Sequence, residues 1–207
     1  MSYARILGEV RRYYDGKLEE HGPTARGVDW NSSESQRLRF SQLAQICDHG
    51  SPFSINDYGC GYGALIDYLD EHGHKFQYRG FDISPRMVGK ARELHGQNNV
   101  SFVIDESALQ PADYTVASGI FNVRLKTAAA EWEDYVLAKL EVLNQLSTKG
   151  FAFNLLTSYS DRDFMRPDLY YGDPLFFFDY CKKRYSRFVS VIHDYPLYEF
   201  TVLVRKD

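Results

Sequence analysis

The chain has 207 residues and a formal net charge of -4, with a pI near 5.9: enough for one substantial domain with a single core, too little for two comfortable ones. An acidic balance argues against a protein whose affinity rests on neutralising phosphates, so nucleic acid is not an expected partner. No apolar run approaches a membrane span, the N-terminus lacks a signal-peptide core, and Cys47, Cys60 and Cys181 stand too far apart for a disulfide or zinc framework, so a cytoplasmic chain with reduced thiols and no metal is expected.

In chain order, Ile6, Val10, Tyr13, Tyr14 and Leu18 share one face at helical spacing until Gly22, Pro23 and Gly27 break the pattern. A second helix is expected from Ser33, with Gln36 completing a capping box and Phe40, Leu43 and Cys47 turned inward, as far as Gly50. Residues 1–50 read as a helical lid on the same domain, and residues 51–207 as its body. There the pattern becomes strand, loop, helix, repeated. The strand "FSINDY" leads through Gly59, Gly61 and Gly63 to a helix carrying Leu65, Tyr68 and Leu69, which Gly73 ends. The strand "FQYRGFD" precedes Ser84 as N-cap and Pro85 at the first position of a helix carrying Met87, Val88, Ala91 and Leu94 to Gly96.

"VSFVID" and "YTVASG" supply two more strands, and Trp132, Val136, Leu140 and Leu143 mark a long helix ending at "STKG", where Gly150 opens the strand "FAFNLL". Such alternation predicts an α/β fold, a mostly parallel sheet with helices on both faces. Asp173 and Pro174 open a last helix, and "RFVSVIHD" and "YEFTVLVR" are joined by only "YPL". So short a link forces an antiparallel hairpin, because a parallel crossover needs a dozen or more residues.

In an open α/β sheet, ligands sit at the carboxyl ends of the strands where strand order reverses, which points to "INDYGCGYG". The glycines let the backbone turn sharply and approach a ligand with no Cβ between. "GCGYGA" also satisfies the dinucleotide pattern, which keeps a nicotinamide or flavin enzyme open. Asp57 separates the two: a carboxylate ahead of the turn repels a pyrophosphate and attracts an ammonium. S-adenosylmethionine (SAM) carries an ammonium and a sulfonium and no phosphate. Asp82 follows the next strand about twenty residues beyond Gly63, the distance at which an acid reaches ribose hydroxyls in such folds. Asp105, with Glu106 and Ser107 beside it, ends the third strand where an adenine amino group would lie.

With these motifs in order, the chain resembles the class I SAM-dependent methyltransferases over residues 50–207. "INDYGCGYG" is similar to their first motif, "GFD" to their ribose acid and "VIDES" to their adenine position, while "ADYTVASGIF" and "LSTKGFAFNLL" look like their fourth and fifth strands. The resemblance implies a Rossmann-like seven-stranded sheet with a C-terminal antiparallel hairpin, SAM as donor, S-adenosylhomocysteine (SAH) as product and no metal. It implies a cofactor site built from Asp57, Tyr58, Gly59, Cys60, Gly61, Gly63, Asp82, Ile83, Met87, Asp105, Glu106, Ser107, Ser118 and Gly119. The whole chain also looks like uncharacterised methyltransferases of sugar and polysaccharide pathways. The expected enzyme is a monomer or homodimer that methylates O or N of a small polar, sugar-like acceptor. A macromolecule methyltransferase, an NAD-dependent oxidoreductase and a non-catalytic SAM-binding protein stand as alternatives.

An acceptor hydroxyl needs a base, whereas an amine needs only to arrive neutral and aligned. His21, Asp29 and His193 are the candidate bases. Asn122 follows the fourth strand without the Pro-Pro-aromatic run that amino-directed nucleic-acid enzymes of this class carry. An aromatic-rich insertion at about 157–180 offers Tyr159, Tyr170 and Tyr171 as acceptor-side walls, with Tyr13, Tyr14 and Trp30 from the N-terminal segment.

Overall fold

A computed structural model describes residues 3–206; residues 1, 2 and 207, the outer ends of the two segments expected from the sequence, lie outside the described residues. At its centre the strands β1 (Phe53–Tyr58), β2 (Phe76–Phe81), β3 (Val100–Val103), β4 (Ala112–Ala117), β5 (Ser147–Thr157), β7 (Phe188–Ile192) and β8 (Glu199–Arg205) run in the order β3-β2-β1-β4-β5-β8-β7, and the two-residue β6 (Tyr171–Gly172) adds to β5. The first five pair in parallel, and β8 runs antiparallel to both β5 and β7. The expected sheet is therefore present, with β6 as an eighth strand too short to leave a sequence pattern.

Alternation along the strands sorts the core into two layers. On one face Phe53, Ile55, Tyr78, Val116 and Leu203 pack with helices α2 (Ser33–Leu43), α3 (Ala64–Glu71) and α4 (Pro85–Leu94). On the other, Tyr58, Phe81, Phe151, Phe153 and Val202 meet α1 (Ala4–His21), α5 (Ala129–Gln145) and α6 (Pro174–Arg184). Trp132 of α5 and Phe177 of α6 are fully buried there. Phe40 and Leu43 place α2 in the first layer, so the second piece of the expected lid is also part of the core.

Local signals set most boundaries. Ser84 caps α4 by accepting the Met87 N–H, with Pro85 following, and Asp173 caps α6 by accepting the Leu175 N–H, with Pro174 following. The capping box of α2 belongs to Ser32 and Ser35 instead of Ser33 and Gln36. Helix α4 stops before His95, ahead of Gly96, and β5 starts at Ser147, with Gly150 inside the strand, where a Cβ would stand 2.6 Å from the Val204 carbonyl oxygen. The hairpin is as expected in sense but spans residues 193–198 between its strands.

Candidate active site

Strand order reverses between β1 and β4, and the loops leaving these strands enclose a cavity of about 90 Å³. After Tyr58 the chain turns at Gly59, whose φ of 85° disfavours a side chain and where a Cβ would collide with Ile120. The Gly59 and Cys60 N–H groups both donate to the Phe81 carbonyl, at 2.7 and 2.9 Å, which ties the turn to the end of β2. The Gly61 N–H donates to Asp82 Oδ2 at 2.9 Å, and the Ser84 N–H to Asp82 Oδ1 at 2.8 Å. Ser84 Oγ donates in turn to Asp15 of α1.

Burial pushes the Asp82 carboxyl up to about 6, against the pull of those two N–H groups and with a further push from Asp15. Burial likewise lifts Asp57, 3% exposed, to about 7. The Tyr78 hydroxyl, donating at 2.8 Å, opposes that rise and the nearby Asp82 adds to it. Asp57 thus faces the cavity as an acid whose ionised form lacks a compensating positive charge. Ser118 Oγ, at the end of β4, is buried with no hydrogen-bond partner. A glycine turn, an uncompensated carboxyl and an orphaned hydroxyl fit a ligand that brings an ammonium and hydrogen-bonding groups.

Of the residues expected around a cofactor, Asp57, Tyr58, Gly59, Cys60, Gly61, Asp82, Ile83, Met87, Ser118 and Gly119 line this cavity. Gly63 does not; it precedes α3, against the His95 ring. Asp105, Glu106 and Ser107 also lie outside its lining. Asp105 accepts the N–H of Ser107 at 2.9 Å, and Glu106 is held by Lys139 Nζ at 2.6 Å and the Tyr58 hydroxyl at 2.5 Å. Leu7 and Val10 of α1, Gln36 and Phe40 of α2, and Tyr62, Ile120 and Tyr135 also line this cavity. The helical period marks Val10 and Phe40 as inward-facing, but nothing local says that they meet a ligand.

A second cavity, of about 360 Å³, adjoins the first and shares Tyr14, Val28, Trp30 and Gly119 with it. Tyr14, Trp30, Asn122 and Tyr171, expected on the acceptor side, line it, as does Asp29. The Asp29 backbone is left-handed, with φ 63°; its Oδ2 accepts the Tyr13 hydroxyl at 2.7 Å and its Oδ1 pairs with Lys17 Nζ at 2.9 Å. Asn122 Oδ1 accepts the Leu156 N–H at 3.1 Å, which leaves its NH₂ for the cavity.

The remaining acceptor-side expectations, Tyr13, Tyr159 and Tyr170, line neither cavity. Tyr159 is exposed, and Tyr170 is buried with its hydroxyl donating to Glu133 at 2.6 Å. His21 lies beside Glu20 at 3.5 Å, and His193 stands exposed in the hairpin connection near the Tyr159 and Phe200 rings; neither lines either cavity. Arg39, Ser160, Phe164, Arg166, Tyr198 and Glu199, which do line the second cavity, carry no sequence signal. Arg39 and Glu199, for example, pair across 160 positions.

The methyltransferase domain family matches residues 55–145. A Mycobacterium tuberculosis (strain ATCC 25618 / H37Rv) protein named "Putative methyltransferase Rv1506c" is 55% identical over 163 residues, covering 78% of this chain and 98% of that protein. The chain belongs to the methyltransferase family. Solved structures share its fold at low identity. The DhpI–SAH complex matches with TM-score 0.67 and 16% identity over 97% of each chain. Magnesium protoporphyrin IX methyltransferase from Synechocystis PCC 6803 with bound SAM matches with TM-score 0.65 and 16% identity over 95% of each. Human N-acetylserotonin methyltransferase in complex with SAM matches with TM-score 0.65 and 15% identity, over 100% of this chain and 60% of that one. Among the described residues of this methyltransferase, no group of His, Cys, Asp and Glu could hold a metal ion, and no helix is long and apolar enough to cross a membrane.

Proposed function

We propose that this methyltransferase uses SAM, held in the glycine-loop cavity, to methylate O or N of a small polar, sugar-like acceptor held in the adjoining one. The observation that carries the reading is the shared wall: Tyr14, Val28, Trp30 and Gly119 border both spaces, so donor and acceptor would lie side by side. When bound, SAM supplies a methyl group on a cationic sulfur.

The chain's own part is positioning and exclusion of water. Asp57 would take the ammonium, giving up the proton that burial favours in exchange for an ion pair. Asp82 would take the ribose hydroxyls, and Ser118 Oγ would gain the partner it lacks. On the acceptor side the Asn122 NH₂ would orient a hydroxyl or amine. Asp29, in contact with Tyr13 and Lys17, is the group to receive a hydroxyl proton, as the one base candidate in that lining.

Calorimetric titration tests the donor: SAM and SAH should bind and NAD should not, while NAD binding without SAM would return the protein to the dinucleotide reading. Incubation with methyl-labelled SAM and a panel of sugars, phenols and amines tests the acceptor class. Label on a sugar supports it; label on RNA or protein alone moves the acceptor to a macromolecule. SAM binding with no label transferred to any of these reads as a non-catalytic binder.

A further inference from the structure

The wall between the two cavities is held by a closed ring of contacts that methyl transfer, as described above, does not use. Trp30 is half-buried and borders both spaces. One face of its ring lies against the Arg39 guanidinium, 3.9 Å from ring centre to Cζ. Its edge lies against Gly119, where a Cβ would stand 2.3 Å from the indole, so a residue other than glycine would displace the ring. Gly119 has a φ of 73°, which disfavours a side chain there as well.

Both supports are anchored to the same buried groups. Arg39 Nε donates to Glu199 Oε2 at 2.9 Å and its terminal nitrogen to Oε1 at 2.6 Å, a two-pronged pair. Asn154 Nδ2 donates to Glu199 Oε2 at 2.8 Å, and Asn154 Oδ1 accepts the Gly119 N–H at 2.7 Å. Arg39, Glu199 and Asn154 are 6%, 1% and 0% exposed. A buried ion pair adds little stability relative to well-packed apolar residues, so its place here calls for another use. Its two ends fix the two surfaces between which the indole is gripped.

Resting on the donor and acceptor assignment above, we propose that Trp30 is a positioning residue: its ring is the partition that sets how far a sulfonium substituent can reach toward the acceptor, and the Arg39–Glu199–Asn154–Gly119 chain sets where the ring stands. The wall then selects for size at the reacting carbon. A methyl fits on the donor side; a bulkier group meets the indole.

The test compares two ligands by calorimetry: SAH, and the adenosyl sulfonium in which a benzyl group replaces the methyl of SAM. The wild-type protein should bind the benzyl ligand about tenfold or more weakly than SAH, as overpacking a fixed wall requires. In Trp30→Ala that ratio should fall to about threefold or less, and Trp30→Phe, which preserves an aromatic core should the alanine variant fail to fold, should fall between. Glu199→Gln, similar in shape but uncharged, should lower the ratio by loosening Arg39. An unchanged ratio in both Trp30 variants overturns the partition, and an unchanged ratio in Glu199→Gln alone removes the buried chain from it. If SAH binds none of the proteins, the donor assignment fails and the proposal falls with it. If wild type binds both ligands equally, the donor assignment stands and the partition alone fails.

Discussion

Asp57 carries the clearest consequence at the scale of single residues. Its carboxyl is raised to about 7 by burial, so in the free protein the neutral form is favoured well above the usual carboxylate range. Stability from this group is fully present below the unfolded pKa and is lost as pH rises through about 7. Urea denaturation of the ligand-free protein should therefore show stability declining over this range, with a shallower decline in Asp57→Asn. If Asp57 meets the ammonium of SAH, binding should drive its proton off, so calorimetry near pH 7 in buffers of different ionisation enthalpy should register proton release that Asp57→Asn abolishes. Proton release equal in the two proteins would place the ammonium elsewhere. Asp82→Ala should weaken SAM binding by more than about tenfold, through loss of charged hydrogen bonds each worth about 1.5–3 kcal/mol. Unchanged affinity would remove Asp82 from the ribose role. These acids were legible in the sequence because each stands at the carboxyl end of its strand, Asp57 next to last in β1 and Asp82 directly after β2, so chain position alone fixes where it stands. Trp30 was legible as an acceptor-side wall candidate, but its grip between Arg39 and Gly119 was not, since those partners come from other elements.

Elements are joined here by a few polar links whose loss can be measured. Arg39 attaches α2 to β8 through Glu199, with both side chains buried. Arg39→Met should cost about 3–5 kcal/mol by leaving a buried carboxylate without its cation, and Arg39→Met with Glu199→Met should recover most of that loss. Urea titration of the single and double variants decides it; additive losses would contradict the pairing. Helix starts were readable where one residue alone can do the capping, as at Ser84–Pro85 and Asp173–Pro174. At α2 three serines, Ser32, Ser33 and Ser35, compete, and the box closes between Ser32 and Ser35. Strand β6 left no pattern because two residues cannot show alternation.

For the whole molecule, a ligand that binds only the folded state raises stability by mass action. SAH at about a hundredfold over its Kd should add about 2.7 kcal/mol and raise the melting temperature, while NAD should leave it unchanged. A shift produced by NAD and not by SAH would reverse the donor assignment. The sequence by itself determined the parallel sheet, its reversed β8 and the glycine turn with Asp57 and Asp82 beside it, because strand-to-helix turns and the residues around them are set by local chemistry and short links. Only the tertiary structure brought Arg39, Arg166 and Glu199 to the second cavity. That cavity gathers Asp29, Arg39, Asn122, Arg166 and Glu199, and Arg39 meets Glu199 because β8 inserts beside β5 while α2 packs across both. That juxtaposition arises from the burial of two sheet faces, a long-range effect that no window of neighbouring residues contains.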